Sequence, residues 1–178
     1  MPELPEVETT RRGLEPVLVG QRITDVTVRD GRLRWPVASD LPSRLADQRI
    51  IGLSRRAKYL IVNLESGSAL IIHLGMSGSL QLTEPDTPLE THDHLVWRFG
   101  SARRLELRYR DHRRFGCVLW TPTDPLQHPL LIHLGPEPLG NAFSGLALVE
   151  RARGRRATVK AFIMDGRTVA GVGNIYAN

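Results

Sequence analysis

The spacing of apolar residues changes character twice along the chain. From Pro2 to Gly20, Leu4, Val7, Leu14 and Leu18 recur at helical intervals and share one face. Pro5 suits a first helical turn, Glu6 and Glu8 sit where the helix dipole favours carboxylates, and Gly20 ends the element. Gly13 and Pro16 weaken its second half and predict a kink or an early stop. From Gln21 to about Thr121 the period drops to two. The predicted strands are Arg22–Arg29, Ile50–Ser54, Tyr59–Leu64, Ala69–Leu74, Ser79–Leu82, His94–Phe99, Arg104–Tyr109 and Cys117–Trp120. Turn signals such as Asp30-Gly31, Glu65-Ser66-Gly67 and Phe99-Gly100-Ser101 divide them, and Leu41–Ala46 reads as one inserted helical turn. Short strands at close spacing predict an antiparallel sandwich or barrel. Helical spacing returns after the Pro-rich stretch Pro122–Pro138, with helices predicted at Leu126–Leu134, Gly145–Arg153 and Thr158–Met164 and another starting near Asn174. The sequence stops at Asn178, one turn into that last element, and so short a helix does not hold alone. It therefore reads as a fragment cut within a second domain.

Composition narrows the class. With 178 residues, 41% of them hydrophobic and 24% charged, the chain has the balance of an ordinary globular protein. Trp35, Trp97 and Trp120 are its bulkiest anchors. No apolar run approaches the roughly 20 residues that cross a bilayer, and no signal-peptide pattern opens the chain, which argues against a membrane or secreted location. The single cysteine, Cys117, excludes an internal disulfide and a Cys-rich metal site built within the chain. A net charge of +5 favours a polyanionic partner. Its basic residues are 22 arginines and only two lysines, Lys58 and Lys160. Those two are candidates for chemistry that needs a deprotonatable amine.

Five segments could carry chemistry. Met1 precedes Pro2, a context in which the initiator Met is normally removed to leave a secondary amine; such an amine titrates near ~8 and can attack an aldehyde carbon to form an iminium. Many chains begin Met-Pro without catalytic purpose, but Glu3 and Glu6 share a helical face beside it and suit acid/base work, with plain helix capping as the alternative. Arg55-Arg56-Ala57-Lys58 at a strand entry is either a solvated edge or a phosphate and proton-handling site. Glycines around Met76 form a tight loop whose tip either packs or wedges into a base stack. The run Arg98 to Arg114 sets Arg98, Arg103, Arg104, Arg108, Arg110, Arg113 and Arg114 against Glu106 and Asp111, with Tyr109 and Phe115 interleaved. That is the footprint of nucleic-acid binding or, more blandly, a solvated β surface. Finally Arg151, Arg153, Arg155, Arg156 and Lys160 precede Gly171-Val172-Gly173-Asn174, a glycine turn whose amides could hold a phosphate.

Together these blocks resemble the formamidopyrimidine-DNA glycosylase family. The likeness rests on Pro2-Glu3-Leu4-Pro5-Glu6-Val7-Glu8-Thr9, Arg55-Arg56-Ala57-Lys58-Tyr59, His73-Leu74-Gly75-Met76-Ser77-Gly78-Ser79, Arg113-Arg114-Phe115-Gly116, His133-Leu134-Gly135-Pro136-Glu137-Pro138-Leu139 and Gly171-Val172-Gly173-Asn174-Ile175-Tyr176, in the family's order over nearly the whole chain. Leu4 after Pro-Glu points to the purine-lesion branch rather than to the endonuclease VIII branch, which typically has Gly there. The resemblance implies an α+β protein: an N-terminal helix with an antiparallel two-sheet β-sandwich as catalytic domain over 1–121, then a partial helix-two-turns-helix DNA-binding domain over 122–178. It implies a bifunctional DNA glycosylase and AP lyase of the bacterial cytoplasm, removing 8-oxoguanine and formamidopyrimidines from double-stranded DNA by Schiff-base chemistry with β,δ-elimination. Pro2 would be the nucleophile, Glu3 the proton donor or acceptor at the sugar, Glu6 its support and Lys58 a phosphate contact that assists elimination. Met76, Arg113 and Phe115 would fill the gap left by the flipped nucleotide. His92, Arg155, Lys160 and Asn174 would bind the backbone or the lesion region.

Two departures stand out. Where the family commonly has proline, Asp111-His112-Arg113 carries a histidine, which relaxes the backbone and can add a phosphate contact. The family's four-Cys zinc finger has no counterpart, so no cofactor is expected on this chain although one zinc ion is expected in the complete family protein. The complete protein is expected to be a monomer, and a fragment exposing Phe162, Ile163 and Ile175 is expected to self-associate. Two other readings stay open: a non-catalytic DNA-binding fragment, and a small-molecule enzyme that uses Pro2 as a base in the manner of tautomerases.

Overall fold

A computed structural model describes residues 2–100 and 105–178. Helix α1 (Leu4–Leu18) leads into strand β1 (Ile23–Val28), a short helix α2 (Leu41–Leu45), and strands β2 (Ile50–Arg56), β3 (Tyr59–Leu64), β4 (Ala69–His73), β5 (Gly78–Thr83), β6 (Asp93–Phe99), β7 (Glu106–Asp111) and β8 (Cys117–Thr121). Helices α3 (Gly145–Ala152) and α4 (Val159–Met164) follow. Met1, Arg103 and the expected strand start at Arg104 lie outside the described residues.

The strands form two antiparallel four-stranded sheets, β1-β6-β7-β5 and β2-β3-β4-β8, so the fold is a sandwich and not a closed barrel. Leu60, Val62, Leu64, Leu70 and Ile72 of one sheet share a buried core with Leu95, Trp97, Leu107 and Tyr109 of the other. The second sheet is covered on its outer face as well. There Ile61 and Ile71 pack with Leu131, with Tyr59, Leu119 and Leu134 around them. Burial on both faces is why β3 and β4 read as continuous apolar runs rather than alternating ones.

Four expectations need correction. Helix α1 runs through Gly13 and Pro16 to Leu18 without stopping, because buried Leu14 and Leu18 anchor its second half to the core. The expected helix Leu126–Leu134 is only a 3-10 turn at Pro125–Gln127 followed by further turns. Pro129 interrupts any helical ladder there, and Leu131 and Leu134 serve instead as the outer cover of the sheet, while Leu126 and Ile132 stay exposed. Near Asn174 the chain makes a single turn, closed by Ala177 N–H to the Gly173 carbonyl at 3.0 Å. Phe162, expected to be exposed, is buried, whereas Ile175 is exposed. Among the described residues, no helix is long and apolar enough to cross a membrane.

Candidate active site and nucleic-acid interface

The corner at the start of α1 gathers four separate segments. Glu6 reaches back to accept the Glu3 N–H at 2.9 Å, closing the first helical turn. Glu3 does something else: its side chain is fully buried and accepts the N–H of Ile175 at 2.8 Å and of Tyr176 at 3.4 Å. The Tyr176 hydroxyl donates to Glu6 at 2.8 Å. The Glu3 N–H and the Tyr176 hydroxyl together hold the Glu6 carboxyl below the usual range. The amides of the glycine turn are therefore directed at a carboxylate of the protein, not left open for a phosphate. Pro2, half-buried, immediately precedes this corner.

Gly173 explains the turn's composition. A Cβ there would overlap both the Glu3 carboxyl and the Lys58 Nζ, so only glycine lets these two groups approach the same backbone. Lys58 sits at the tip of the β2–β3 hairpin, where Arg56 pairs with Tyr59 and Ala57 adopts a positive φ of 53°. Burial pushes the Lys58 amine down, and the nearby Glu3 and Glu6 carboxylates partly offset that.

The hairpin is held from behind by Glu137. One carboxylate oxygen accepts the Ala57 N–H at 2.7 Å and Arg56 at 3.0 Å; the other accepts Arg55 at 2.7 Å. Arg55 also donates to Glu8 on α1 at 3.1 Å, and Arg56 reaches the Leu134 and Gly135 carbonyls. The loop of Glu137 is in turn joined to the segment leading to Gly173, through Gly135 N–H to the Gly166 carbonyl and Ala170 N–H to that of Pro136. Arg55 and Arg56 thus brace Lys58; they are neither a solvated edge nor a phosphate site.

A second cluster lies on the loops after β4 and β7. Gly75 has a positive φ of 62°, and a Cβ on it would strike the Phe115–Gly116 backbone at 2.5 Å. The two loops are therefore in direct backbone contact. Buried Asp111 binds them together, accepting the Ser77 hydroxyl at 2.6 Å, the Gly116 N–H at 2.9 Å and the Tyr109 hydroxyl at 3.3 Å. Above this fixed base the side chains are free. Met76 is 40% and Phe115 46% exposed, and Arg113 lays its guanidinium over the Phe115 ring at 4.8 Å. Arg34, His73, Gly75, Met76 and Phe115 line a cleft of about 440 Å³. His73 accepts the Gly75 N–H at 2.9 Å, and burial holds its imidazole down to about 4.

The basic run is largely neutralised from within. Arg98 pairs with Asp25 and Glu106, Arg108 with Glu106 and Asp93, Arg110 with Glu90 and Asp93, and Arg114 with Asp30. Arg108 is itself buried, donating to the Thr87 and Pro88 carbonyls. Among the described arginines of this run, Arg113 alone makes no ion pair. The uneven charge of the sequence overstates the free charge of the surface.

The family model described as the formamidopyrimidine-DNA glycosylase N-terminal domain matches residues 1–118, and that of the H2TH domain of the same enzymes matches residues 134–178. The chain belongs to the formamidopyrimidine-DNA glycosylase family. It is 56% identical over 178 residues to the enzyme of that name from Methylococcus capsulatus, covering 100% of this chain and 65% of that protein. A relative from Pseudomonas aeruginosa is 57% identical, with 64% of its length covered. The chain thus spans just under two-thirds of the length of these curated relatives. Among solved structures, the Lactococcus lactis glycosylase bound non-covalently to DNA with an AP site has a TM-score of 0.89 at 36% identity, over 98% of this chain and 66% of that one. A G226P mutant of the same enzyme with Fapy-dG DNA has a TM-score of 0.90 at 36% identity, over 99% and 64%.

Of the expected site residues, Pro2, Glu3, Glu6 and Lys58 fall at the first corner, and Met76, Arg113 and Phe115 at the second. His92 stacks on His112 at the edge of the second cluster. Asn174 is exposed in the turn between Gly173 and Ile175. Arg155 and Lys160 are exposed around α4, and Lys160 donates to the Asn178 side chain; neither bonds to either cluster among the described residues. Sequence reasoning missed Glu137, Tyr176, Asp111 and Ser77. Glu137 stands between two prolines within the family-like block His133–Leu139, and that was its available signal. The one cysteine is buried in β8, and among the described residues no cluster of His, Cys, Asp and Glu has the makeup to hold a metal ion.

Proposed function

We propose that the chain carries the catalytic corner of a base-excision-repair DNA glycosylase and AP lyase acting on oxidised purines, 8-oxoguanine and formamidopyrimidines among them, in double-stranded DNA. The observation that carries this reading is the meeting of Glu3 and Lys58 at Gly173, with Glu6 bonded to the Glu3 N–H and Pro2 next in sequence, on a chain whose relatives bear the name DNA glycosylase. The Lactococcus structures with AP-site and Fapy-dG DNA support the same partner class.

With Met1 removed, the Pro2 nitrogen attacks C1′ of the damaged nucleoside, the base leaves with a proton, and ring opening gives an iminium on the sugar. Glu3 exchanges the proton at the sugar, supported by Glu6. The iminium acidifies the C2′ hydrogen; its loss expels the 3′ phosphate, and a second elimination expels the 5′ phosphate. A half-buried Lys58 with a lowered pKa assists proton movement and faces phosphate. Flipping the nucleotide costs a few kcal/mol, which Met76, Arg113 and Phe115 offset by filling the vacated stack. His92, Arg155, Lys160 and Asn174 are the proposed backbone contacts.

Borohydride trapping on a duplex with an abasic site tests the proposal, with Pro2→Gly as comparison and intact mass confirming loss of Met1. A covalent adduct mapped to Pro2 is expected. No adduct from Met1-free protein that still binds DNA would reduce the function to DNA binding.

A further inference from the structure

We infer that His112 is a second anion-binding histidine, which together with His92 grips one phosphate of the DNA backbone at the edge of the Arg113–Phe115 loop. This rests on the DNA-binding reading above and adds a residue to it. His92 lies just ahead of β6 and His112 just after β7, and their rings meet at 4.4 Å between centroids, tilted by 54°. The Nδ1 of His92 is buried without a partner, which leaves Nε2 as the nitrogen able to reach a ligand. His112 is exposed, and its ring makes no hydrogen bond among the described residues.

The surrounding charges leave this pair without a counter-ion. Asp111 is taken by Ser77, Gly116 N–H and Tyr109, and Asp93 by Arg110 and the Glu90 N–H. Glu90 pairs with Arg110, and Asp30 with Arg114. His94 is engaged with the Asp111 carbonyl at 2.8 Å, and Arg113 rests on Phe115. With Nδ1 buried, His92 offers its Nε2–H and His112 an exposed ring N–H, and a phosphate presents two oxygens to these two donors.

The test is fluorescence anisotropy of a duplex carrying a tetrahydrofuran abasic analogue, at pH 6.0 across a series of salt concentrations. His112→Gln is expected to bind about 5–10-fold more weakly, with a salt slope lower by about one. His112→Lys supplies a fixed charge and should restore both affinity and slope. The loss in the His92→Gln, His112→Gln double variant should be less than the sum of the single losses, as for groups sharing one ligand. Equal binding of parent and His112→Gln, or a loss that His112→Lys does not restore, overturns the inference alone. A parent that shows no salt-sensitive binding overturns the DNA reading, and this inference with it.

Discussion

The two clusters are built on opposite plans. Around Glu3 the side chains themselves are fixed: the carboxylate is buried and doubly bonded, Lys58 is braced through Glu137, and Gly173 leaves no slack. Around Met76 and Phe115 only the backbone is fixed, by Asp111 and by Gly75 against Phe115–Gly116, while the side chains stand in solvent. Chemistry at a sugar carbon needs atoms held to a fraction of an ångström. A wedge entering a base stack needs an unmoving base and a side chain free to leave solvent. Each plan matches its proposed task.

Gly173→Ala attacks the first plan directly and carries the largest expected effect. The added methyl displaces Glu3 and Lys58, so borohydride trapping and incision should fall by about 100-fold or more. Because Glu3 is buried and bonded to the Ile175 and Tyr176 amides, the substitution should also cost roughly 1–3 kcal/mol in urea unfolding; trapping that stays at the parent level on folded protein would show that the corner is structural first. Asp111→Asn attacks the second plan. It places an amide among donors that expect a carboxylate and should cost roughly 2–3 kcal/mol in urea unfolding. Affinity for abasic DNA should fall too, while trapping at saturating DNA stays near the parent level. Equal damage to both would merge the two clusters into one unit.

His73 provides a subtler probe of the second base. Burial, then the Arg34 and Lys58 charges, holds its imidazole down to about 4, against 6.5 when unperturbed. Below pH 6.5 the unfolded chain takes up a proton that the folded protein refuses, so stability falls as pH drops from 6.5 to 4. The loss should be on the order of 2 kcal/mol between urea titrations at pH 7 and pH 4.5. His73→Asn keeps an acceptor for the Gly75 N–H and should flatten that slope; an unchanged slope would assign it to other groups. The smallest effect is expected from Tyr176→Phe. Without the hydroxyl the Glu6 carboxyl moves back up toward its ordinary value, so the acid limb of the activity profile should shift to higher pH with little change at neutrality.

The order and type of most elements were legible because they rest on local signals, as were Pro2, Glu3, Glu6, Lys58, Met76, Arg113 and Phe115, whereas their partners Glu137, Tyr176, Asp111 and Ser77 were not. Alternation marks a strand wherever it is placed, glycine pairs mark turns, and Pro2-Glu3-Leu4-Pro5-Glu6 is a contiguous motif. The expected helix at Leu126–Leu134 failed because an apolar run shows that residues will be covered without showing what they cover; there it is the outer face of a sheet. Partner choice was equally invisible. Glu3 meets Ile175 from 172 positions away, Arg55 meets Glu137 from 82, and Arg98 meets Asp25 from 73. Coulomb attraction and hydrogen bonding depend on distance through space, and no pattern along the chain encodes that distance until the sheets close. By itself, then, the sequence determined which residue types could act and on which elements they sit. Only the tertiary structure decided which charges are already spent inside the fold and which, like Arg113, remain free to meet a ligand.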